Sequence, residues 1–289
     1  MEMTTNGFAA TPAGQEYFDR YDRVLDKWAA PVVGRSVTTR HGVTHVNVCG
    51  PDDGTPVVLL PGAGASSTSW FAVAGELAAT HRVYAVDLLG DPGRSVAGSR
   101  LRTVDDLLGW LSAVLDALGL ESVALVGHSY GAMVALAYAL RNPDKVRRLV
   151  LVDPNACFAG MRPGYLLRAL PLLLRPTAKR QRALIGWETA GSDLDRDWLD
   201  LVGFGAEHFP ATRPVVPRRP SRRALADLQC PTTVVLAERS RIHNVDRVRS
   251  RVTNAIPTAR TRMLDSATHY TLPMAPAPAL LAVLDEALR

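Results

Sequence analysis

The chain has 289 residues, of which 47% are hydrophobic and 21% charged, so it can bury a large core, which argues against global disorder. Its formal net charge of +5 is small, and no basic motif with interleaved aromatic residues indicates a nucleic-acid partner. Three widely spaced cysteines without CxxC spacing indicate neither a disulfide framework nor a zinc site.

The start of the chain and its hydropathy bear on where the protein acts. The N-terminal segment lacks the basic start and apolar run of a signal peptide, and no stretch of about 18 apolar residues predicts a membrane span. We therefore predict a cytoplasmic protein with a small-molecule substrate and no nucleic-acid or membrane partner. It is expected to be a monomer or a homodimer.

Residues 1–34 are predicted to form an N-terminal helical extension, because aromatic and aliphatic residues recur at helical spacing within 14–28. Two strands joined by a tight turn at His41–Gly42 follow. Short apolar runs bounded by turn residues then alternate with helical segments. These predicted strands are "PVVLLPG", "RVYAVDLLG", "SVALVGHS", "VRRLVLVDP", "PTTVVLAE" and "RTRMLDS".

This alternation predicts an α/β fold with a mostly parallel, doubly wound sheet, since runs that are apolar on both faces suit a parallel sheet covered by helices. The core is predicted over 35–154 and 230–289. Residues 155–229 contain no clear strand, and a connection of that length is too long for a plain loop. We predict that they form a helical cap, inserted after the sixth strand.

The pentapeptide "GHSYG" at 127–131 lies between a predicted strand and a predicted helix. G-x-S-x-G in this context is typical of a nucleophile elbow, in which a sharp turn exposes the serine Oγ at the edge of the sheet. A serine needs a base within hydrogen-bond reach. His269, after the last predicted strand, has the place in the chain that this fold gives to the base, so Ser129 and His269 are the predicted nucleophile and base.

An oxyanion hole needs two backbone N–H groups. The residue after the nucleophile, Tyr130, would supply one, and Ala63 in the loop "PGAGASSTSW" would supply the other. The glycine-rich loop lacks the GK[ST] ending of a phosphate-binding P-loop. No cofactor and no metal ion is predicted.

From residue 35 to 289 the chain resembles the α/β-hydrolase superfamily, on the segments "PGAGASSTSW", "YAVDLLGDPGRS" and "GHSYGAMVALAYALRNPDKVRRLVLVDP". Within it, these segments resemble bacterial carboxylesterase-type hydrolases with an N-terminal helix and a helical cap. The resemblance implies the α/β-hydrolase fold. This chain has Pro61–Gly62 where the family usually has His-Gly before the oxyanion donor.

The acid of the triad is the second departure from the family pattern. The position where the family usually carries it is Ser240 here, within "VVLAERSRIHN". Asp153, at the end of the preceding predicted strand, is one candidate, as in some members of the superfamily. Glu238 is the alternative acid, and a chain without a true acid is the third reading.

These residues predict a carboxylic ester hydrolase that cleaves an ester, thioester or lactone of a small, apolar organic substrate through an acyl-enzyme on Ser129. Two alternatives stay open. The first is an acyltransferase or thioesterase of a biosynthetic pathway. The second is a non-hydrolytic binding or cyclisation module whose triad has decayed.

Overall fold

The computed structural model describes residues 5–275 and 277–289, without the side chains of residues 5 and 6. The strands are β1 (Val33–Thr39), β2 (Gly42–Cys49), β3 (Thr55–Leu60), β4 (His81–Val86), β5 (Val96–Ala97), β6 (Val123–His128), β7 (Val146–Val152), β8 (Thr232–Ala237) and β9 (Arg260–Leu264). The helices are α1 (Thr5–Ala9), α2 (Pro12–Leu25), α3 (Phe71–Leu77), α4 (Val104–Ala117), α5 (Tyr130–Arg141), α6 (Pro163–Leu174), α7 (Ala178–Glu188), α8 (Arg196–His208), α9 (Arg222–Ala226), α10 (Val245–Ala255) and α11 (Ala277–Leu288).

The strands form a single sheet in the order β1-β2-β4-β3-β6-β7-β8-β9, with the short β5 paired to β2. β1 and β2 are antiparallel to each other, and β2 is antiparallel to β4, so the predicted N-terminal hairpin is the antiparallel edge. Across the rest of the sheet, in the order β4-β3-β6-β7-β8-β9, all neighbouring strands run parallel. The predicted α/β fold with a mostly parallel sheet is confirmed.

The central strands are apolar on both faces because helices cover both. Every residue of β6 and of β8 is buried. One apolar cluster joins the sheet to α4, α5 and α10, and a second joins its other face to α3 and α11. Because these strands run parallel, their carboxyl ends meet at one edge of the sheet, where ligands of open α/β sheets bind.

The cap segment, defined here as residues 155–229, holds α6 to α9 between β7 and β8. The cap segment follows the predicted strand "VRRLVLVDP", the sixth that sequence predicted, which is β7 here because the two-residue β5 adds one strand to the count. Sequence could not reveal β5, since two residues carry no periodicity.

The N-terminal helix α2 packs against the cap segment. Thr11 caps α2 by accepting from the Gly14 N–H, and Pro12 opens its first turn. The apolar stripe of α2 then forms a cluster with α8, in which Tyr17 and Trp198 are buried together. Among the described residues, no helix is both long and apolar enough to cross a membrane.

Candidate active site

Ser129 lies between β6 and α5, in a turn that few residues adopt. Its φ of 53° and ψ of −112° fall outside the regular regions, which is a strained conformation for a residue with a Cβ. The turn is this tight because Gly127 and Gly131 touch neighbouring backbone: a Cβ on either would overlap the main chain. The predicted strand-turn-helix around Ser129 is therefore present, and α5 begins at the next residue.

His269 bridges Ser129 and Asp153. Its Nε2 is 2.9 Å from Ser129 Oγ, and its Nδ1 is 2.6 Å from Asp153 Oδ2. A carboxylate only accepts hydrogen bonds, so Nδ1 carries the proton and Nε2 is free to accept from the serine hydroxyl. The ring is 2% exposed. The fold thus brings together residues that lie far apart in the chain, since His269 is 140 positions from Ser129 and 116 positions from Asp153.

Asp153 follows β7 directly and is completely buried. Its φ of 39° turns the chain at the strand end. Oδ1 accepts from the Ala237 N–H at 3.1 Å, and Oδ2 accepts from Ser240 Oγ at 2.9 Å. Burial by itself would raise the pKa of Asp153, but the neighbouring His243 and His269 hold it below its usual value. The group is therefore an ionised carboxylate facing His269.

Neither Ser240 nor Glu238, the two residues near the family's usual acid position, takes the place of Asp153 beside His269. Ser240, at the family's usual acid position, is buried and donates its hydroxyl to Asp153. The Glu238 side chain points elsewhere: it is exposed, and Oε2 accepts from the Ser266 N–H at 2.9 Å. The structure brings Asp153 to the histidine and does not bring Glu238 there.

The two predicted oxyanion donors flank the nucleophile. Tyr130 follows Ser129, and Ala63 lines the same cavity as Ser129. Gly62 lies so near that a Cβ on it would be 3.3 Å from Ser129 Cβ. Within 5–275 and 277–289, neither the Ala63 nor the Tyr130 N–H is occupied by a backbone or side-chain acceptor. Pro61 has no backbone N–H to donate. The predicted oxyanion donors are the N–H groups of Ala63 and Tyr130, so neither of them is lost.

Sequence reasoning missed two residues that hold the backbone of His269. His128 donates from Nε2 to the His269 carbonyl at 3.1 Å. Burial, with His269 beside it, lowers the pKa of His128 to about 3, so this ring is neutral. From the cap segment, the buried Glu188 accepts from the N–H groups of His269 and Tyr270 at 3.1 and 3.2 Å. Its oxygen Oε1 also accepts from the Arg241 N–H.

A second histidine contacts the acid. His243, which is also completely buried, has Nε2 3.2 Å from Asp153 Oδ1, without the geometry of a hydrogen bond. Sequence offered no signal for His243, because it lies in the loop after β8, where its neighbours give no periodicity. Glu188 gave none either, as its partners are more than 50 positions away.

The cavity beside Ser129 has a volume of about 120 Å³ and lies between the sheet edge and the cap segment. Its apolar wall includes Trp198, Val202, Ile242 and Leu272. Polar lining comes from Asn155 and Gln181, together with the serine and histidine. Among the residues that the structure describes, no group of three or more His, Cys, Asp or Glu side chains could hold a metal ion.

Comparison with known proteins gives a consistent match. The model of the alpha/beta hydrolase family matches residues 57–283. The carboxylesterase YbfK of Bacillus subtilis strain 168 is 28% identical over 269 residues, which are 91% of this chain and 90% of that protein. The uncharacterized carboxylesterase nap of the same strain is 33% identical over 159 residues, covering 55% of this chain and 53% of that one.

Solved structures agree with the sequence relatives. The crystal structure of carboxylesterase CesB (YbfK) from Bacillus subtilis superposes with a TM-score of 0.89 and 26% identity, over 95% of this chain and 98% of that chain. The naproxen esterase (carboxylesterase NP) from Bacillus subtilis gives a TM-score of 0.88 and 25% identity, over 96% and 98% of the two chains.

Proposed function

This chain belongs to the alpha/beta hydrolase family, and we propose that within it the chain is a serine hydrolase of carboxylic esters that works through an acyl-enzyme on Ser129. The observation that carries the proposal is the unbroken chain of contacts from Ser129 Oγ through His269 to Asp153, at the wall of a cavity. The relatives named as carboxylesterases support the same reaction. They do not favour acyl transfer or a non-hydrolytic module.

In the acylation step, Ser129 Oγ attacks the ester carbonyl while His269 Nε2 takes the hydroxyl proton. The imidazolium that forms is stabilised by Asp153, which is ionised and hydrogen-bonded to Nδ1. The carbonyl oxygen becomes an oxyanion, for which the N–H groups of Ala63 and Tyr130 are the proposed donors. His269 then protonates the leaving alcohol.

Deacylation repeats the same proton transfers with water. His269 Nε2 removes a proton from the water that attacks the acyl carbonyl, and returns it to Ser129 Oγ as the acid product leaves. The apolar wall formed by Trp198, Val202 and Ile242 supports a small apolar acyl or aryl group as the preferred substrate portion. The cavity volume of about 120 Å³ favours short groups over long chains.

The test combines an active-site probe with short p-nitrophenyl esters. Wild-type protein is expected to bind one equivalent of a fluorophosphonate probe and to hydrolyse p-nitrophenyl acetate and butyrate. Ser129→Ala should abolish labelling and lower kcat by at least about 10⁴-fold. Ser69→Ala, at another serine that lines the cavity, is the matched control and should still be labelled. Wild-type protein that neither reacts with the probe nor turns over either ester would refute the proposal.

A further inference from the structure

Helix α6 in the cap segment exposes a leucine stripe to solvent. Its side chains are 42–76% exposed although all are aliphatic, and they recur at i, i+1, i+4, i+7 and i+8 of the helix: Leu166, Leu167, Leu170, Leu173 and Leu174. Residues at this spacing share one face. A contiguous apolar face of this kind on a surface helix marks an interaction site.

The other face of α6 is already used for packing. Tyr165 and Ala169 are buried there with Leu184 and Ile242, and the Tyr165 hydroxyl lies 3.1 Å from that of Tyr270. The helix is therefore apolar on both sides, with Arg168 as its charged residue. Packing within the described chain accounts only for the inner side and leaves the leucine stripe uncovered.

The charges around the stripe are of one sign. Between Asn155 and Trp187 the chain has no acidic residue and six basic ones: Arg162, Arg168, Arg175, Lys179, Arg180 and Arg182. Arg180 donates to the carbonyls of Pro171 and Arg175 at the end of α6, which fixes a positive charge beside the last leucines.

Acidic groups from the neighbouring helix α8 neutralise little of this charge. Asp200 pairs with Arg182, and Glu207 accepts from the Ala178 N–H. In the part of the chain that the structure describes, Arg162, Arg175 and Lys179 are exposed and form no ion pair, whereas the exposed Arg168 stacks over the Trp187 ring, 5.7 Å from its centre. Unpaired cations thus lie at both ends of the stripe, one before α6 and two after it.

We propose that the leucine stripe of α6 docks on the surface of an anionic phospholipid bilayer. Leucines that enter the headgroup boundary, with arginine and lysine beside them on the phosphates, are the features of a helix that lies in the plane of a membrane interface. A second copy of this chain fits less well, because a symmetric contact would bring the same cations against one another. Such docking needs no membrane span, and it departs from the expectation of no membrane partner.

Docking of this kind is independent of catalysis, so it can be tested apart from the proposed function. Vesicles of phosphatidylcholine alone and of phosphatidylcholine with phosphatidylglycerol are sedimented with wild-type protein at low and high NaCl. We expect binding to the phosphatidylglycerol vesicles, with little binding to phosphatidylcholine alone. Salt should weaken the binding, because screening acts on exposed charges. The Ser129→Ala variant should bind like the wild type.

Matched variants assign the binding to the stripe. Leu167→Ser with Leu174→Ser should weaken vesicle binding at least about tenfold, since each leucine loses apolar burial, and should leave hydrolysis of p-nitrophenyl acetate unchanged. Val33→Ser, at an exposed aliphatic on β1, should bind like the wild type. Arg175→Gln with Lys179→Gln should weaken binding, whereas Arg35→Gln with Arg289→Gln should not.

Two outcomes would overturn the proposal. In the first, wild-type protein fails to sediment with phosphatidylglycerol vesicles, or the leucine variant sediments as strongly as the wild type. In the second, light scattering shows a dimer that the leucine substitutions convert to a monomer, while no vesicle binding is seen. That result would assign the stripe to a second copy of the chain.

Discussion

Two parallel strands of the same sheet each end in a completely buried carboxylate, Asp87 after β4 and Asp153 after β7. The groups that donate to the Asp87 side chain are all backbone N–H groups or hydroxyls. It accepts from the N–H and hydroxyl of Ser67, from the hydroxyl of Tyr21, and from the Arg94 N–H, at 2.6 to 3.0 Å. Asp153 also accepts from a backbone N–H and a serine hydroxyl, but its third donor is an imidazole.

The difference between the two carboxylates lies in what their partners touch next. The network of Asp87 continues into Asn47, which donates to Tyr21 and Ser67 and whose Oδ1 lies 3.1 Å from Nε2 of His45, a histidine on β2 that does not line the cavity beside Ser129. The network of Asp153 continues through His269 to a serine beside a cavity. Burial and full hydrogen bonding are therefore common to both, and only the base that leads to a nucleophile indicates chemistry.

The sharpest test of this comparison is Asp153→Asn. The amide can present its NH₂ to His269 Nδ1, which favours the tautomer that carries a proton on Nε2 and cannot accept from Ser129. We expect kcat for p-nitrophenyl acetate to fall about 10³- to 10⁴-fold. Glu238→Gln, the matched control, should retain kcat within about threefold. A loss of more than a hundredfold at Glu238 and not at Asp153 would reverse the assignment.

The converse substitution, Asp87→Ala, should affect stability and spare catalysis. It leaves the Tyr21 hydroxyl and the N–H groups of Ser67 and Arg94 without their acceptor in a buried site. The free energy of unfolding should fall by about 3–5 kcal/mol, measured by urea denaturation. Activity per molecule labelled by the fluorophosphonate should change less than about threefold. Should the alanine variant not fold, Asp87→Asn carries the same test with a smaller loss.

A third buried carboxylate, Asp91, accepts fewer hydrogen bonds than Asp87 or Asp153, and we expect it to change its protonation state near neutral pH. It accepts from the Gly64 N–H at 3.3 Å, and burial raises its pKa to about 7 despite that bond. In the unfolded chain the pKa of the same group is about 3.9. Between about pH 4 and pH 7 the folded state holds more proton than the unfolded state, so stability falls as the pH rises.

Asp91→Asn removes this pH dependence, because the amide does not titrate and its oxygen can still accept from Gly64. Above about pH 7 the variant should be more stable than the wild type by on the order of 4 kcal/mol, and the difference should shrink toward about pH 4. Urea denaturation of both proteins at about pH 5 and about pH 8 measures it. A difference that is equal at the two pH values would contradict the assignment.

The parts of the site that sequence predicted are those defined by local pattern. A strand, a G-x-S-x-G turn and a helix follow each other without interruption around Ser129, so adjacent residues carry the whole signal. The position of His269 came from chain order. The acid stayed open between Asp153 and Glu238, because the choice depends on which side chain of two neighbouring strands points to the histidine.

Other features lay beyond sequence for a different reason. Glu188 and His128 act on backbone atoms of His269, and a backbone contact leaves no pattern in the residue types. In α6 almost every residue is apolar, so periodicity could not say which face would be buried. The short β5 was missed because pairing with β2, and not composition, defines it.

The smallest expected effect concerns the carboxylate that lies behind His269. Glu188 uses both oxygens on N–H groups of Arg241, His269 and Tyr270. Gln at this position keeps the shape but has only one acceptor oxygen, so at least one of these N–H groups loses its partner. The imidazole would then be less firmly held between Ser129 and Asp153.

For Glu188→Gln we expect kcat for a short ester to fall about tenfold, while KM changes less than about threefold, because a looser base slows proton transfer without altering the cavity wall. Glu207→Gln is the matched control: its carboxylate also accepts from a backbone N–H, but at an exposed helix start, so its kcat should be unchanged. A variant that loses stability and keeps full kcat would make Glu188 a purely structural tie between cap segment and core. A selective fall in kcat would make it a positioning residue, which acts through His269 as Asp153 does but on the backbone of the histidine and not on its ring.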